Sequence, residues 1–362
     1  MEKYTESICE EYAANNNFSG VCMLNVCGEP IFAKAYGWAN RAFKIPNQVH
    51  TRFDTASITK LFTAAAVLQL VEQKILSLED RITDIIDLSG TEIPADVTIA
   101  QLLNHTSGIA DDADEEAGED YSALFLSSPN YGFRECRDFL KNFAYKKPNF
   151  KAGTNVRYCN CSYILLGLAI EQKTGRNYRD YAARNIFEKA GMSNSGFFSM
   201  DEINENIAEG YKSLKDVNGK ITGYKKNIYS YPPMGTPDGG AYTTAGDLNK
   251  FLWALKNNIL FNKTFTEMMM RPHCRFSQSA ERYGLPGLHK KNGYAFECLL
   301  LGNAPEPFCI YKDGQNDGVS ARLSYYPEKD IGLVILSNQD CNVPAMTRAI
   351  QQEIYKEYYQ KL

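Results

Sequence analysis

Histidine is scarce in this chain, with four among 362 residues, and little else suggests a metal centre. Ten cysteines are present, but the close pairs Cys22 with Cys27 and Cys159 with Cys161 fit no strong zinc pattern. Free, mostly buried thiols are the plainer expectation. No apolar run reaches the length of a membrane span. The start, Met1-Glu2-Lys3-Tyr4-Thr5-Glu6, lacks a basic stretch followed by an apolar one. No signal peptide is therefore visible, and a cytoplasmic location is expected, with export and removal of a signal as the alternative. Positive charge is not in excess: 39 Lys and Arg against 43 Asp and Glu give a net charge of -4 and no reason to expect nucleic acid. No internal repeat and no Gly-x-Ser-x-Gly elbow is found.

What is present is ordinary globular composition, 44% hydrophobic and 23% charged, in a chain long enough for one or two domains. Residues 5–16 read as a first helix, and Val21 to Val26 and Ile31 to Tyr36 as strands about a Cys27-Gly28-Glu29-Pro30 turn. Ile58, Leu61, Phe62, Ala65 and Leu68 recur at helical spacing, as on one buried face. The middle reads as mainly helical: Ile99 to Leu103 after Thr98, Tyr163 to Glu171 stopping near Thr174-Gly175, Tyr178 to Phe187, and Asp247 to Leu255. Residues 111–120 carry seven acidic side chains and read as a solvated loop. Residues 212–230 suit a loop or hairpin. The end returns to strands, Phe308 to Lys312, Val319 to Tyr325 and Ile331 to Leu336, before a closing helix from Pro344 to Tyr358. Strands at both ends with helices between predict an α/β (α+β) fold: an antiparallel sheet flanked by helices, with an inserted helical domain. The division expected is 1–87 with 240–362 for the sheet domain and 88–239 for the insertion.

Three short motifs carry candidate chemistry. In Ser57-Ile58-Thr59-Lys60 the two polar ends share one helix face. A serine hydroxyl needs a partner to take its proton, and a buried lysine with lowered pKa can do so. Chance supplies roughly one such tetrapeptide in a chain this long, so an ordinary helix-start serine beside an exposed lysine is the alternative. Tyr158-Cys159-Asn160 precedes an apolar helix. Its phenol can relay a proton if nearby cations lower its pKa, and its amide can bond a substrate carbonyl. Taken alone, the motif better suits a satisfied buried tyrosine followed by an N-cap asparagine. Lys312-Asp313-Gly314 follows a short strand, where lysine would supply fixed charge and glycine close approach; an exposed turn is the alternative. His105 is expected to bond loop backbone, and His289-Lys290-Lys291 to be a solvated turn.

Together, in this order and on these elements, the motifs resemble the serine β-lactamases and penicillin-binding proteins, specifically the class C-like branch. That branch also holds D-alanyl-D-alanine carboxypeptidases, esterases and D-amino-acid amidases. The stretches Phe53 to Lys60, Phe62 to Glu72, Leu102 to Gly108, Tyr158 to Gly167 and Gly239 to Leu248 are each similar to characteristic family segments. The likeness runs from about Phe18 to Asn338.

The resemblance implies a serine hydrolase that cleaves an ester or amide through an acyl-enzyme, with β-lactamase or D-Ala-D-Ala carboxypeptidase activity as the alternative. A catalytically silent ligand-binding module is the alternative from another class. By the same resemblance Ser57 attacks the carbonyl, Lys60 and Tyr158 share its proton, and Lys312 keeps positive potential near Tyr158. Asn160 positions the acyl side, Gly314 and Gln315 flank the substrate, and the backbone N–H groups of Ser57 and Gln315 form the oxyanion hole. No metal or organic cofactor is implied, and the expected partner is a small ester, amide or β-lactam. The chain departs from the pattern at Asp313, where relatives carry a small hydroxyl or glycine that helps hold a substrate carboxylate. A carboxylate there disfavours an anionic substrate group unless it points away or pairs with an arginine such as Arg322.

Overall fold

The computed structural model describes residues 1–15, 17–279 and 285–359. Its centre is an antiparallel sheet of eight strands: β1 (Gly20–Val26), β2 (Glu29–Tyr36), β3 (Gln278–Ser279), β4 (Leu288–Asn292), β5 (Glu297–Leu301), β6 (Cys309–Asn316), β7 (Val319–Tyr326) and β8 (Ile331–Ser337). Their order is β2-β1-β8-β7-β6-β5-β4-β3, so the two ends of the chain meet at the β1–β8 pair, in register from Gly20 opposite Ser337 to Val26 opposite Ile331.

Alternation builds the two faces. Cys22, Leu24, Leu333 and Ile335 point to one side, where α1 (Glu2–Ala14) and the closing helix Val343–Tyr358 cover them through Cys9, Met346 and Ile350. Val21, Met23, Val334 and Leu336 point to the other side, into the larger core. Successive strand residues face opposite ways, so one strand can feed two cores.

Two helices organise that larger core. In α2 (Thr59–Glu72) every residue from Thr59 to Leu70 is buried, so the helix is enclosed all round rather than on the single face its spacing suggested. Phe62 makes edge-on contacts with Phe187 at 4.9 Å and Phe251 at 5.1 Å, both distant from it in sequence. A helix apolar all round belongs inside a large core. The second helix, Cys161–Thr174, packs beside α2 and ends where Gly175 turns left-handed at φ 64°.

The segment 88–239 holds that helix, a run of shorter helices from Ile99–Leu103 to Glu188–Ala190, and a hairpin of Tyr211–Lys215 with Ile221–Lys226. The expected helix over 178–187 is helical at Tyr178–Ala182 and passes into a π-helical turn, Ala183–Phe187.

Three expectations are corrected. His289, Lys290 and Lys291 lie inside strand β4, paired with β5, rather than in a solvated turn. They form the first arm of a hairpin closed by residues 293–296, a strand whose polar residues hid it, and Lys290 is held by Glu297. The strand expected to stop at Lys312 runs to Asn316, because β6 keeps pairing with β7, with Asp313 opposite Arg322 and Gln315 opposite Ser320. The acidic stretch 111–120 is not a solvated loop at its start: Asp111 and Asp112 are buried, and Lys146 Nζ bonds their carbonyls at 3.0 and 2.7 Å. All ten cysteines are free thiols, eight of them buried.

Candidate active site

Ser57 sits in a tight turn, Ala56–Ile58, that leads into α2. The short pair Phe53–Asp54 with Tyr242–Thr243 delivers the chain to this turn. Asp54 accepts from the Ala56 N–H at 2.7 Å, Thr59 Oγ1 donates to the Ala56 carbonyl at 2.7 Å, and the Ala241 N–H donates back to Thr59 Oγ1 at 2.9 Å. Ala56 itself is held at φ 41°, in the region that disfavours a side chain. The turn that aims Ser57 is therefore strained and stapled from both sides.

Around Ser57 Oγ the polar groups converge. Lys60 Nζ lies 3.0 Å away and Tyr158 Oη 2.8 Å away. Lys60 is fully buried, and its Nζ also bonds Asn160 Oδ1 at 2.7 Å and the Asp238 carbonyl at 2.6 Å. Burial pushes the Lys60 pKa down, against the opposing pull of Asp238, Glu115 and Asp111. Lysine has three donors, and here three acceptors surround it.

Tyr158 corrects one expectation. Burial first, then Glu115, pushes its pKa well above 10, so that the nearby cations do not lower it. Those cations are in place: Lys312 Nζ stands 4.7 Å and Lys60 Nζ 5.1 Å from the ring centroid. In this environment the phenol is neutral and donates to Ser57 Oγ. His105 packs its ring against Tyr158 at 4.6 Å and accepts from the Cys159 N–H through Nδ1 at 3.3 Å. Burial followed by Lys312 and Lys60 pushes its pKa well below 6.5, leaving a neutral ring that shapes the loop.

Asn160 occupies the N-cap position of the helix Cys161–Thr174 without capping it. Asp111 does that work, accepting from the N–H groups of Asn160 and Cys161 at 2.8 and 2.9 Å. The amide of Asn160 is thereby released to take Lys60 at one end and to donate to Glu115 Oε1 at 3.0 Å at the other. The acidic stretch grips the same segment further, through Asp114 on Arg157 at 2.6 Å and Glu116 on the Tyr158 N–H at 3.1 Å.

The third motif divides. Lys312 is buried beside Tyr158, with Glu297 Oε1 at 3.7 Å. Asp313 does not line the cleft: its carboxylate holds Arg322 Nη1 at 2.9 and 3.0 Å, because the two residues stand opposite in the β6–β7 ladder. At Gly314 an added Cβ would lie 2.0 Å from the Thr55 carbonyl oxygen, so the missing side chain admits this chain's own backbone rather than substrate. Gln315 lines the cleft mouth.

The cleft holds about 540 Å³ of empty space open to solvent, with Ser57, Asn160 and Gln315 in its wall. Asp54, Glu115 and Asp238 also line it, and among the described residues no Lys or Arg does so. The sequence did not single out these three acids. Asp54 lies inside the family-like stretch Phe53 to Lys60, Asp238 stands directly before the one from Gly239, and Glu115 lies in the acidic run, so each had a signal. Burial raises the Asp54 pKa to about 6. Among the described residues one group, Asp111, Asp112 and Cys161, has a metal-ligand arrangement, but Asp111 already serves backbone N–H donors.

A sheet wrapped by helices, with a serine, a buried lysine and a tyrosine on one hydroxyl, defines a serine hydrolase of the acyl-enzyme kind. A sequence model of the Beta-lactamase family matches residues 6–354, and the chain belongs to that family. It is 26% identical over 355 residues to penicillin-binding protein 4* of Bacillus subtilis, covering 93% of this chain and 72% of that protein. The crystal structure of a penicillin binding protein from Bacillus halodurans is 34% identical with a TM-score of 0.86, covering 96% of this chain and 99% of that one. The fold is also that of the D-amino acid amidase from Ochrobactrum anthropi, at 21% identity and a TM-score of 0.77, covering 98% of this chain and 99% of that one.

Proposed function

We propose that Ser57 is the nucleophile and that Lys60 takes its proton, the reading carried by the convergence of Lys60 Nζ and Tyr158 Oη on Ser57 Oγ at 3.0 and 2.8 Å. Burial lowers the Lys60 pKa, so its amine is the group more readily free of its proton and able to accept one; the Tyr158 pKa is raised, so the phenol keeps its proton until it is passed on. Ser57 Oγ attacks the substrate carbonyl while its proton passes to Lys60. The tetrahedral oxyanion is held by the N–H groups of Ser57 and Gln315. The proton reaches the leaving group through Tyr158, and water then releases the acid and regenerates Ser57. The positive charge of Lys312 stabilises any negative charge that forms on the phenol. Asn160 fixes Lys60 and bounds the acyl side.

The substrates are neutral or cationic esters and amides. Glu115 and Asp238 face the cleft, with Asp54 buried in its wall, while the nearby cations Lys60 and Lys312 are buried and engaged. A cleft lined by one sign of charge repels its own sign. Penicillin-type recognition is the second reading, favoured by the name of the Bacillus halodurans protein that this chain matches over nearly its whole length. The deciding experiment pairs a fluorophosphonate with a fluorescent penicillin. Labelling of Ser57 by the first alone supports the ester and amide reading, and labelling by both supports penicillin recognition. Label on neither favours the silent module, and an adduct on Ser107 or Ser162 overturns the assignment.

A further inference from the structure

Phe296-Glu297-Cys298-Leu299, at the start of strand β5, places a single carboxylate in an otherwise apolar and largely buried stretch. Such an acid is costly unless it is paired. Glu297 Oε2 accepts from Lys290 Nζ at 2.8 Å and from the Tyr311 hydroxyl at 2.9 Å. Its other oxygen faces Lys312 Nζ at 3.7 Å. Lys312 in turn sits 4.7 Å from the Tyr158 ring centroid, and Tyr158 bonds Ser57 at 2.8 Å. Contacts therefore lead without a break from Glu297 to the serine, although Glu297 is not part of the cleft wall.

We propose that Glu297 is a positioning residue that keeps the Lys312 ammonium charged and aimed at Tyr158, and so sets the alkaline limit of turnover. The proposal rests on the reading of Ser57 and Tyr158 given above. The charged and titratable groups about Lys312 come from every neighbouring element: Glu297 from β5, Lys290 from β4, Lys60 from α2, Asp313 from its own strand, Tyr158 from the segment before the helix Cys161–Thr174, and the neutral His105. Asp313 is already paired with Arg322. Burial lowers the Lys312 pKa to about 8; Glu297 and Asp313 oppose that fall, and Lys60 and Lys290 add to it. The Glu297 carboxyl itself is pushed up by burial, but Lys290 and Lys312 outweigh this and hold it below the usual carboxylate range. It stays ionised wherever the enzyme works. Take that charge away, and Lys290 and Lys312 lose the carboxylate they share. Tyr158 shifts in the same sense, since Glu297 also raises its pKa.

The test is the pH profile of kcat/KM on a neutral acyl ester, read for wild type, Glu297→Gln and Lys290→Met. In Glu297→Gln the alkaline limb should move down by about one pH unit, roughly a tenfold loss on that limb, with much less loss on the plateau. Lys290→Met should move the limb the opposite way, since it removes a cation from beside Lys312. A merely structural role gives neither sign: it would scale the whole profile by one factor. Limbs that stay put in both variants, or that move the same way, overturn the proposal. If Glu297→Gln does not fold, the upward shift in Lys290→Met decides alone. Fluorophosphonate labelling of wild-type Ser57 is run beside it. Label elsewhere sinks the nucleophile reading, whereas label on Ser57 with unmoved limbs sinks only the role of Glu297.

Discussion

The reacting atoms depend on a few side chains whose removal has distinct signatures. Ser57→Ala should abolish turnover and fluorophosphonate labelling while thermal unfolding stays near wild type, because the hydroxyl buries little apolar area. Lys60→Ala and Tyr158→Phe should each lower kcat by about a hundredfold or more, the usual scale of acid–base help. Their double variant should lose less than the product, since both act on one hydroxyl. Strictly multiplicative losses in single-turnover rates would count against a shared proton. At Asp313 the ion pair with Arg322 changes the expectation drawn from sequence. Asp313→Thr should leave Arg322 buried without its carboxylate and reduce stability, rather than admit carboxylate substrates. Discrimination against a terminal carboxylate should instead respond to Glu115→Gln. A matched pair of esters, one ending in a carboxylate and one in its amide, checks this: the ratio of kcat/KM should narrow in Glu115→Gln and stay fixed if the cleft charge is irrelevant. Ser57, Lys60 and Tyr158 were legible in the sequence because their motifs are local and ordered along the chain. The pairing of Asp313 was visible only as one option, since cross-strand partners are set by register. Glu297 had a signal, a lone acid in an apolar run, but nothing local tied it to Lys312.

At the level of elements, the sequence located most of the helices and the five contiguous strands β2-β1-β8-β7-β6 well. Thr98 and Gln101 form a reciprocal cap on the helix Ile99–Leu103, the reason its start was legible. Strands β3, β4 and β5 were not read: the first two are short and polar, and none of the three carries a clean alternation. One close contact between elements is β6 against the Ser57 turn, at Gly314. Gly314→Ala would press a methyl group onto the Thr55 carbonyl, and overpacking of this kind costs about 1–3 kcal/mol. Thr55 immediately precedes the turn, so activity should fall more steeply than the unfolding midpoint. Loss of stability with normal kcat would show that the turn does not depend on this contact. Phe62→Ala should behave oppositely, costing about 3–5 kcal/mol from the core between Phe187 and Phe251 while the folded fraction keeps its kcat.

Across the whole molecule, both chain ends build one sheet, and the segment between them brings Tyr158 and Asn160 to a serine held by residues 53–59 and 241. We propose that 1–87 with 240–362 and 88–239 are the two domains of this arrangement. Their long-range assembly was legible only through the resemblance, since no local pattern says that β1 pairs with β8. The strained residue before the serine has a consequence for how this assembly is spent over time. Holding an alanine at φ 41° costs on the order of 1–3 kcal/mol, and that cost falls on folding. It is met once in the lifetime of each molecule and not again at each turnover, so the hydroxyl waits already aimed. Ala56→Gly would move the same expense to the other side: a chain that folds a little more stably, and a serine that must be found anew by every substrate.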